Sequence, residues 1–140
     1  MGRINLGRVV LGGLVAGVII NLIEFILNGI VLADRWNDQM ASLNRSVFDV
    51  KQIVAFNVFG FVSGIVAVWT YAALRPRFGA GPTTAIYAGL LTWVTLYLLA
   101  DGMPTIMGIF PVSMFLILIG VGLVEIVAAT LAGAWLYKEA

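Results

Sequence analysis

Four long apolar runs constrain the fold of this chain more than any other feature of its sequence. They cover about residues 8–33, 50–74, 82–100 and 111–137. A helix needs about 20 apolar residues to cross the hydrocarbon core of a bilayer, and each run meets or nearly meets that length. A transmembrane barrel would instead alternate polar and apolar residues along its strands. The pattern therefore predicts an all-α protein, a single membrane domain over residues 1–140 that forms a bundle of four transmembrane helices.

The composition agrees with a lipid environment and excludes several kinds of chemistry. Only 11% of the 140 residues are charged, whereas a soluble domain carries about 25%. The chain has no cysteine and no histidine, which excludes disulfides, thiolate metal sites and the usual general base at neutral pH. The serines also lack an intramembrane lysine that would activate them. We therefore expect no enzyme activity, no catalytic residue, no metal and no cofactor, and the net charge of +1 predicts no nucleic-acid partner.

Capping and turn residues set the expected ends of the runs. Ser46, followed three residues later by Asp49, has the spacing of a capping box before the second run. Arg75-Pro76 is expected to end that run, because proline disfavours helical geometry in the residue before it. The stretch 101–104, Asp-Gly-Met-Pro, is expected to end the third run, and Pro111 suits the first turn of the fourth. The basic leader MGRINLGR precedes an apolar run without a small-residue cleavage site, so we expect a retained first helix.

The distribution of basic residues predicts the orientation in the membrane. Cytoplasmic loops carry an excess of Lys and Arg. With four spans, both termini and the turn near residues 75–82 share one side, and that side has five basic residues against three on the other. The five are Arg3, Arg8, Arg75, Arg77 and Lys138, and the three are Arg35, Arg45 and Lys51. We therefore expect both termini to be cytoplasmic.

The connection between the first two runs, residues 34–51, is the one long polar segment of the sequence. Apolar residues recur along it at helical spacing, namely Trp36, Met40, Leu43, Val47 and Val50. One interpretation is an amphipathic helix that lies on the outer membrane face as a lid. The other is a connector that simply covers the bundle.

Each run carries a stripe of small and polar residues on one helix face. Membrane helices pack through small residues and interhelical hydrogen bonds, so we expect close helix packing at Gly13, Gly17, Gly60, Gly64, Gly122 and Gly133. The polar members of the stripes form a candidate ligand or ion pathway, which consists of Asn21, Glu24, Asn28, Asn57, Thr95 and Glu125. A charge at the bilayer centre costs about 2.5–3.5 kcal/mol on insertion scales, which favours an inward orientation for all of these side chains.

The sequence places no basic residue at the membrane depth of the two intramembrane glutamates, Glu24 and Glu125. Three interpretations follow. They are protonated, neutral side chains that join helices; or they relay protons or cations along a hydrated path; or they form a polar site for a lipid head group, a quinone or a pigment.

The stretches GRVVLGGLVAGVIINLIEFILNGIVL (7–32) and GVGLVEIVAATLAGAWLY (120–137) resemble small uncharacterised bacterial inner-membrane proteins of about this length. The resemblance covers about a third of the chain. It implies a bacterial source and four spans, and it carries no known activity. We therefore expect a non-catalytic membrane protein surrounded by lipid, either a homo-oligomer or an accessory subunit that binds another membrane protein. The alternative is a small channel or transporter that handles protons or cations through Glu24 and Glu125.

Overall fold

The computed structural model describes residues 3–140, which form helices joined by short loops, with no strand in that range. Four helical spans are long and apolar enough to cross a membrane. They are Leu6–Val31, Val50–Phe78, Pro82–Ile106 and Val112–Trp135. The prediction of an all-α bundle of four membrane helices is confirmed. The first two residues of the basic leader lie outside the described range.

The spans contain two π-helical segments in addition to regular α-helix. In chain order the elements are α1 (Leu6–Ile26), π1 (Leu27–Val31), α2 (Ala33–Ser42), α3 (Val50–Phe78), α4 (Pro82–Trp93), π2 (Val94–Leu98), α5 (Leu99–Ile106) and α6 (Val112–Trp135). The first span therefore consists of α1 and π1, and the third of α4, π2 and α5. Both π segments lie within membrane spans, and such segments occur frequently at functional sites.

The second span begins at a different cap from the expected one and runs past its proline. Asp49, not Ser46, is the N-cap: its side chain accepts from the Gln52 amide at 2.9 Å, while the Gln52 side chain accepts from the Asp49 amide at 2.9 Å. The expected end at residue 74 is wrong, because Pro76 lies inside α3 and the helix continues to Phe78. A proline so close to the C-terminal end removes few helical hydrogen bonds. The chain leaves the helix only at Gly79, whose φ of +83° favours glycine.

The third span also continues beyond its expected end at residue 100. It runs to Ile106, with Pro104 inside α5. Pro104 lacks the amide hydrogen that would pair with the carbonyl of Ala100. It lies two residues before the end of α5, so little of the helix depends on that missing bond.

The polar connection is helical over a shorter stretch than its pattern predicted. α2 ends at Ser42, and Asn44 adopts a left-handed conformation with φ +54°. Val47 therefore lies in a non-helical segment, and Val50 is already the first residue of α3. The local reason is that a left-handed residue ends a helix, after which Asp49 starts a new one.

Glycine contacts within the chain bring the spans together. A Cβ atom on Gly13 would lie 2.5 Å from the Cα atom of Ile65, and one on Gly17 would lie 2.8 Å from the Cα atom of Phe61. A Cβ on Gly64 would collide with the backbone of α1 in return. Further along, Gly60 packs against Asn21, Gly122 against the ring of Tyr97, and Gly133 against Gly12 and Val68. All six glycines of the predicted packing stripes thus lie at contacts between helices of this chain.

Hydrogen bonds identify which segments of the chain lie at each end of the bundle. At one end the Tyr137 hydroxyl accepts from the Asn5 amide at 3.2 Å, and the Gly81 amide donates to the Tyr71 hydroxyl at 3.3 Å. The start of α1, the residues after α6 and the turn before α4 therefore lie there, and we call it the terminal end. At the opposite end, the distal end, Gln39 of α2 donates to the carbonyl of Ile109. That contact joins α2 to the loop between α5 and α6.

Candidate functional site

A cavity of about 650 Å³ lies at the distal end between the first three spans and α2. We call it the distal cavity. Most of the residues that line it are apolar, and many of these are aromatic, but several polar side chains also line it. The aromatic residues are Phe25, Trp36, Phe48, Phe56, Phe59, Tyr97 and Phe110, and the polar and acidic ones include Asn21, Glu24, Asn28, Asn57 and Asp101. None of the described residues that line it is Lys or Arg.

The cavity exists because the distal part of α3 is not buried against the bundle. Residues 50–59 of α3 are all exposed, and burial begins at Gly60. From that glycine onward α3 packs closely on α1 through the contacts of Gly17 and Gly64. Phe56 and Asn57 lie on the unpacked part and contribute to the cavity wall.

A chain of side-chain hydrogen bonds connects the polar part of the cavity to α2. Glu24 accepts a hydrogen bond from the amide nitrogen of Asn28, one helical turn later on the same span. The Asn28 carbonyl oxygen in turn accepts from the indole nitrogen of Trp36 at 2.8 Å. The Asn28 amide thus uses both its donor and its acceptor, and it orients the Glu24 carboxyl while holding α2 over the cavity.

Asn21 and Asn57 form a second polar contact, between α1 and α3. The Asn21 side chain donates to the backbone carbonyl of Asn57 at 3.0 Å, and the Asn57 side chain donates to the carbonyl of Ile53 at 2.8 Å. Each amide therefore satisfies backbone acceptors where α3 begins to diverge from α1. Both residues line the cavity, and the hydrogen bonds that they donate go to backbone carbonyls of α3.

Glu125 enters the site from α6 and is almost completely buried, with 1% of its surface exposed. Its Oε1 atom accepts a hydrogen bond from the Tyr97 hydroxyl at 2.5 Å. Its Oε2 atom is buried and has no hydrogen-bond donor among residues 3–140. The carboxyl of Glu24 is a neighbour of the Glu125 carboxyl. Because two carboxylates are both acceptors, the pair can form a hydrogen bond only when one of them holds a proton.

Asp101 adds a third carboxyl to the same region of the cavity. It is half-buried on α5, one helical turn after Tyr97. Acidic groups from α1 and α5 thus line the distal cavity, and that of α6 lies beside Glu24. Within residues 3–140, however, no group of three acidic side chains has an arrangement that could hold a metal ion.

The segment π2 determines which residues of the third span face this site. Thr92 is buried and faces inward, and helical spacing predicted that Thr95 would follow it. Because a π-helix bonds residue i to residue i+5, the inward position moves to Tyr97 instead. Thr95 is exposed, and its hydroxyl donates to carbonyls of its own helix, Leu91 and Thr92, at 3.0 Å each. The inward orientation predicted for Thr95 is therefore wrong.

The structure brings together five of the six side chains of the predicted pathway. Asn21, Glu24, Asn28 and Asn57 line the cavity, and Glu125 lies next to Glu24. Trp36, Tyr97 and Asp101 were not among the predicted site residues. One signal for two of them is present in the sequence, since Trp93, Tyr97 and Asp101 recur every four residues along the third run.

Comparisons with protein-family models, curated protein sequences and solved structures find no match to this chain. Chemically, the arrangement can hold a proton between two carboxyls, stabilise a positive charge beside them, and accommodate an apolar body against aromatic rings.

Proposed function

We propose that this multi-pass membrane protein handles protons or cations through Glu24 and Glu125, and that it does so without catalysing a covalent reaction. The observation that supports this best is the meeting of two carboxyls from separate spans beside a cavity whose described lining has no basic residue. An intramembrane acidic residue that faces a cavity is typical of proton and ion pathways. A purely structural pair would have no need of such a cavity beside it.

The positions of the two carboxyls suggest how a proton or cation would move. Glu24 lines the cavity, whereas Glu125 lies deeper, among the buried residues of α6. Transfer between them would carry a charge from the accessible side toward the packed centre. The cavity-lining residues reach no closer to the terminal end than Ile20 and Ser63. Complete passage would therefore require a change in helix packing or a second copy of the chain.

The location that we propose is the bacterial inner membrane, with both termini in the cytoplasm. The terminal end of the bundle carries the larger group of basic residues predicted from the loops. Arg75, for example, lies 5.2 Å from the ring centre of Tyr137 at that end. An excess of Lys and Arg marks the cytoplasmic side, so the distal cavity would open on the outer half of the membrane.

A second candidate function is assembly, as a homo-oligomer or as an accessory subunit of a larger membrane complex. It is favoured by the exposed apolar surface of α3 over residues 50–59, where Val50 and Phe59 are 76% and 66% exposed. The glycine stripes would not form such an interface, because they already make contacts within the chain. Extraction in a mild detergent tests this candidate: a defined oligomer or a stoichiometric partner supports it, and a lone monomer contradicts it.

Flux through liposomes tests the proposed function. Purified protein is reconstituted with a pH-sensitive dye inside the vesicles, and a proton gradient is then applied, with parallel measurements for Na⁺ and K⁺. The proposal predicts flux in the wild type and its loss in Glu24→Gln and Glu125→Gln. Thr95→Val is the matched control, since Thr95 is a polar residue of a membrane span that lies outside the cavity. Absence of flux in the wild type, or equal flux in all four proteins, would contradict the proposal.

A further inference from the structure

We propose that the ligand of the distal cavity is an organic cation with an apolar body, and that this cation takes the place of the proton held between Glu24 and Glu125. The inference rests on the proposed function and names the substrate class of the same site. On binding, the O–H bond of the protonated carboxyl breaks, the proton leaves to water, and the resulting carboxylate pairs with the cation.

The two carboxyl groups nearest to Glu24 favour a positive ligand. Glu125 approaches from α6, and Asp101 lines the cavity from α5. The described parts of α2 and α3 contribute no charged side chain to the lining. An anionic ligand would meet several carboxyls and no countercharge. A cation would gain an ion pair in a region shielded from water, where such pairs interact more strongly than at a surface.

The aromatic rings of the cavity suit a cation whose charge is carried on an apolar body. The ring centre of Trp36 lies 5.4 Å from that of Phe48 and 5.7 Å from that of Phe110, and Phe48 lies 5.2 Å from Phe56. These rings form one connected wall that extends from α2 to α3. Aromatic faces attract cations, most strongly where water is displaced. A small hydrated metal cation would make no apolar contact with these rings, whereas the apolar body of an organic cation would pack against them.

The size of the cavity and the state of Glu125 agree with a ligand of that class. A volume of about 650 Å³ falls within the range of about 300–1,000 Å³ found for small-molecule sites. The Oε2 atom of Glu125 is buried and has no donor among the described residues. A buried acceptor without a partner is unfavourable, because it has lost its hydrogen bonds to water. Glu125, which lies beside the cavity, thus has an acceptor atom that no described protein group satisfies.

The test uses two probes of the same shape and opposite charge. Tetraphenylphosphonium is a permanent cation with four phenyl groups, and tetraphenylborate is the corresponding anion. Binding of each is measured by equilibrium dialysis to protein in lipid nanodiscs, with empty nanodiscs as the baseline. Proton release is followed with a pH indicator in weakly buffered solution. We expect saturable binding of the phosphonium, with release of a proton, and no binding of the borate above the baseline.

Variants locate the site and separate it from a general loss of structure. Glu24→Gln is expected to weaken phosphonium binding by at least about tenfold and to abolish proton release. Glu24→Asp keeps a carboxyl, so it is expected to retain both, at reduced affinity. Thr95→Val serves as the control and is expected to behave like the wild type. If Glu24→Gln fails to fold, the comparison of the two probes on the wild type still decides the charge of the ligand.

Several results would overturn this inference. They are equal binding of the two probes, phosphonium binding without proton release, and no phosphonium binding in the wild type. If the phosphonium does not bind but Glu24-dependent proton or Na⁺ flux is present in liposomes, the inference fails while the proposed function stands. If neither is observed, both fail. Preferential binding of the borate would indicate an anionic or lipid-like ligand instead.

Discussion

The hydroxyl of Tyr97 donates a 2.5 Å hydrogen bond to Oε1 of Glu125, joining the third span to the fourth inside the bundle. The same tyrosine ring packs against Gly122, one helical turn before the glutamate. A larger residue at position 122 would occupy the space of the ring, so this glycine permits the hydrogen bond. The contact positions the buried carboxyl against Glu24 and thereby sets the geometry of the distal cavity.

Replacing Tyr97 with phenylalanine is expected to destabilise the protein by about 1–3 kcal/mol, because a buried acceptor of Glu125 loses its donor. The aromatic ring and its contact with Gly122 are retained, so the change isolates the hydroxyl. Unfolding of the reconstituted protein measures the effect. Tyr87→Phe is the matched control, since Tyr87 is 47% exposed on the same span. Equal stability of the two variants would show that the hydrogen bond contributes nothing.

Close packing of α1 on α3 predicts opposite effects for two glycine-to-alanine changes. A Cβ at Gly64 would meet the backbone of Gly13 and Gly17, whereas a Cβ at Gly120 of α6 would meet no atom within 4 Å. Alanine favours helix over glycine by about 1 kcal/mol, but overpacking costs about 1–3 kcal/mol. We therefore expect Gly64→Ala to lower the thermal midpoint of unfolding and Gly120→Ala to maintain or raise it. A stabilised Gly64→Ala variant would contradict the observed packing.

The hydrogen bond from Trp36 to Asn28 is one of two side-chain hydrogen bonds from α2 to the rest of the bundle, the other being that of Gln39 to Ile109. Trp36→Phe removes the 2.8 Å bond and retains an aromatic ring near Phe48 and Phe110. We expect faster hydrogen exchange at the backbone amides of α2, measured by mass spectrometry, with unchanged exchange in α6. Trp69→Phe is the control, because Trp69 is 48% exposed on α3. Unchanged exchange in α2 would mean that the remaining contacts hold this helix without the Trp36 hydrogen bond.

The membrane bundle and most of the acidic site could be predicted from the sequence because they depend on simple regularities. Apolar length identifies a span, and helical spacing places Asn21, Glu24 and Asn28 on one face of the first run. The insertion cost of a charge in lipid requires that face to point inward. These arguments need no knowledge of neighbouring helices, and four of the six predicted pathway side chains line the distal cavity.

The third span shows where such regularities fail. A strict helical period predicts Thr95 as the inward residue, whereas the π-helical segment places Tyr97 there. A π segment depends on contacts with other helices, here the fit of the Tyr97 ring against Gly122 and its bond to Glu125. The prolines were a second source of error. Pro76 and Pro104 were expected to end spans, but each lies inside a helix, two residues before its last residue.

A double-mutant cycle between Glu24 and Glu125 tests most directly whether the two carboxyls act as one unit. The free energy of unfolding is measured for the wild type, Glu24→Gln, Glu125→Gln and the double variant, with Glu24→Gln combined with Thr95→Val as the control pair. Residues in contact show coupling energies of about 0.5–3 kcal/mol, whereas distant residues add within about 0.5 kcal/mol. We predict coupling in that range for the glutamate pair and additivity for the control pair. Additive effects of the two glutamate substitutions would contradict the shared proton and, with it, the role proposed for the distal cavity.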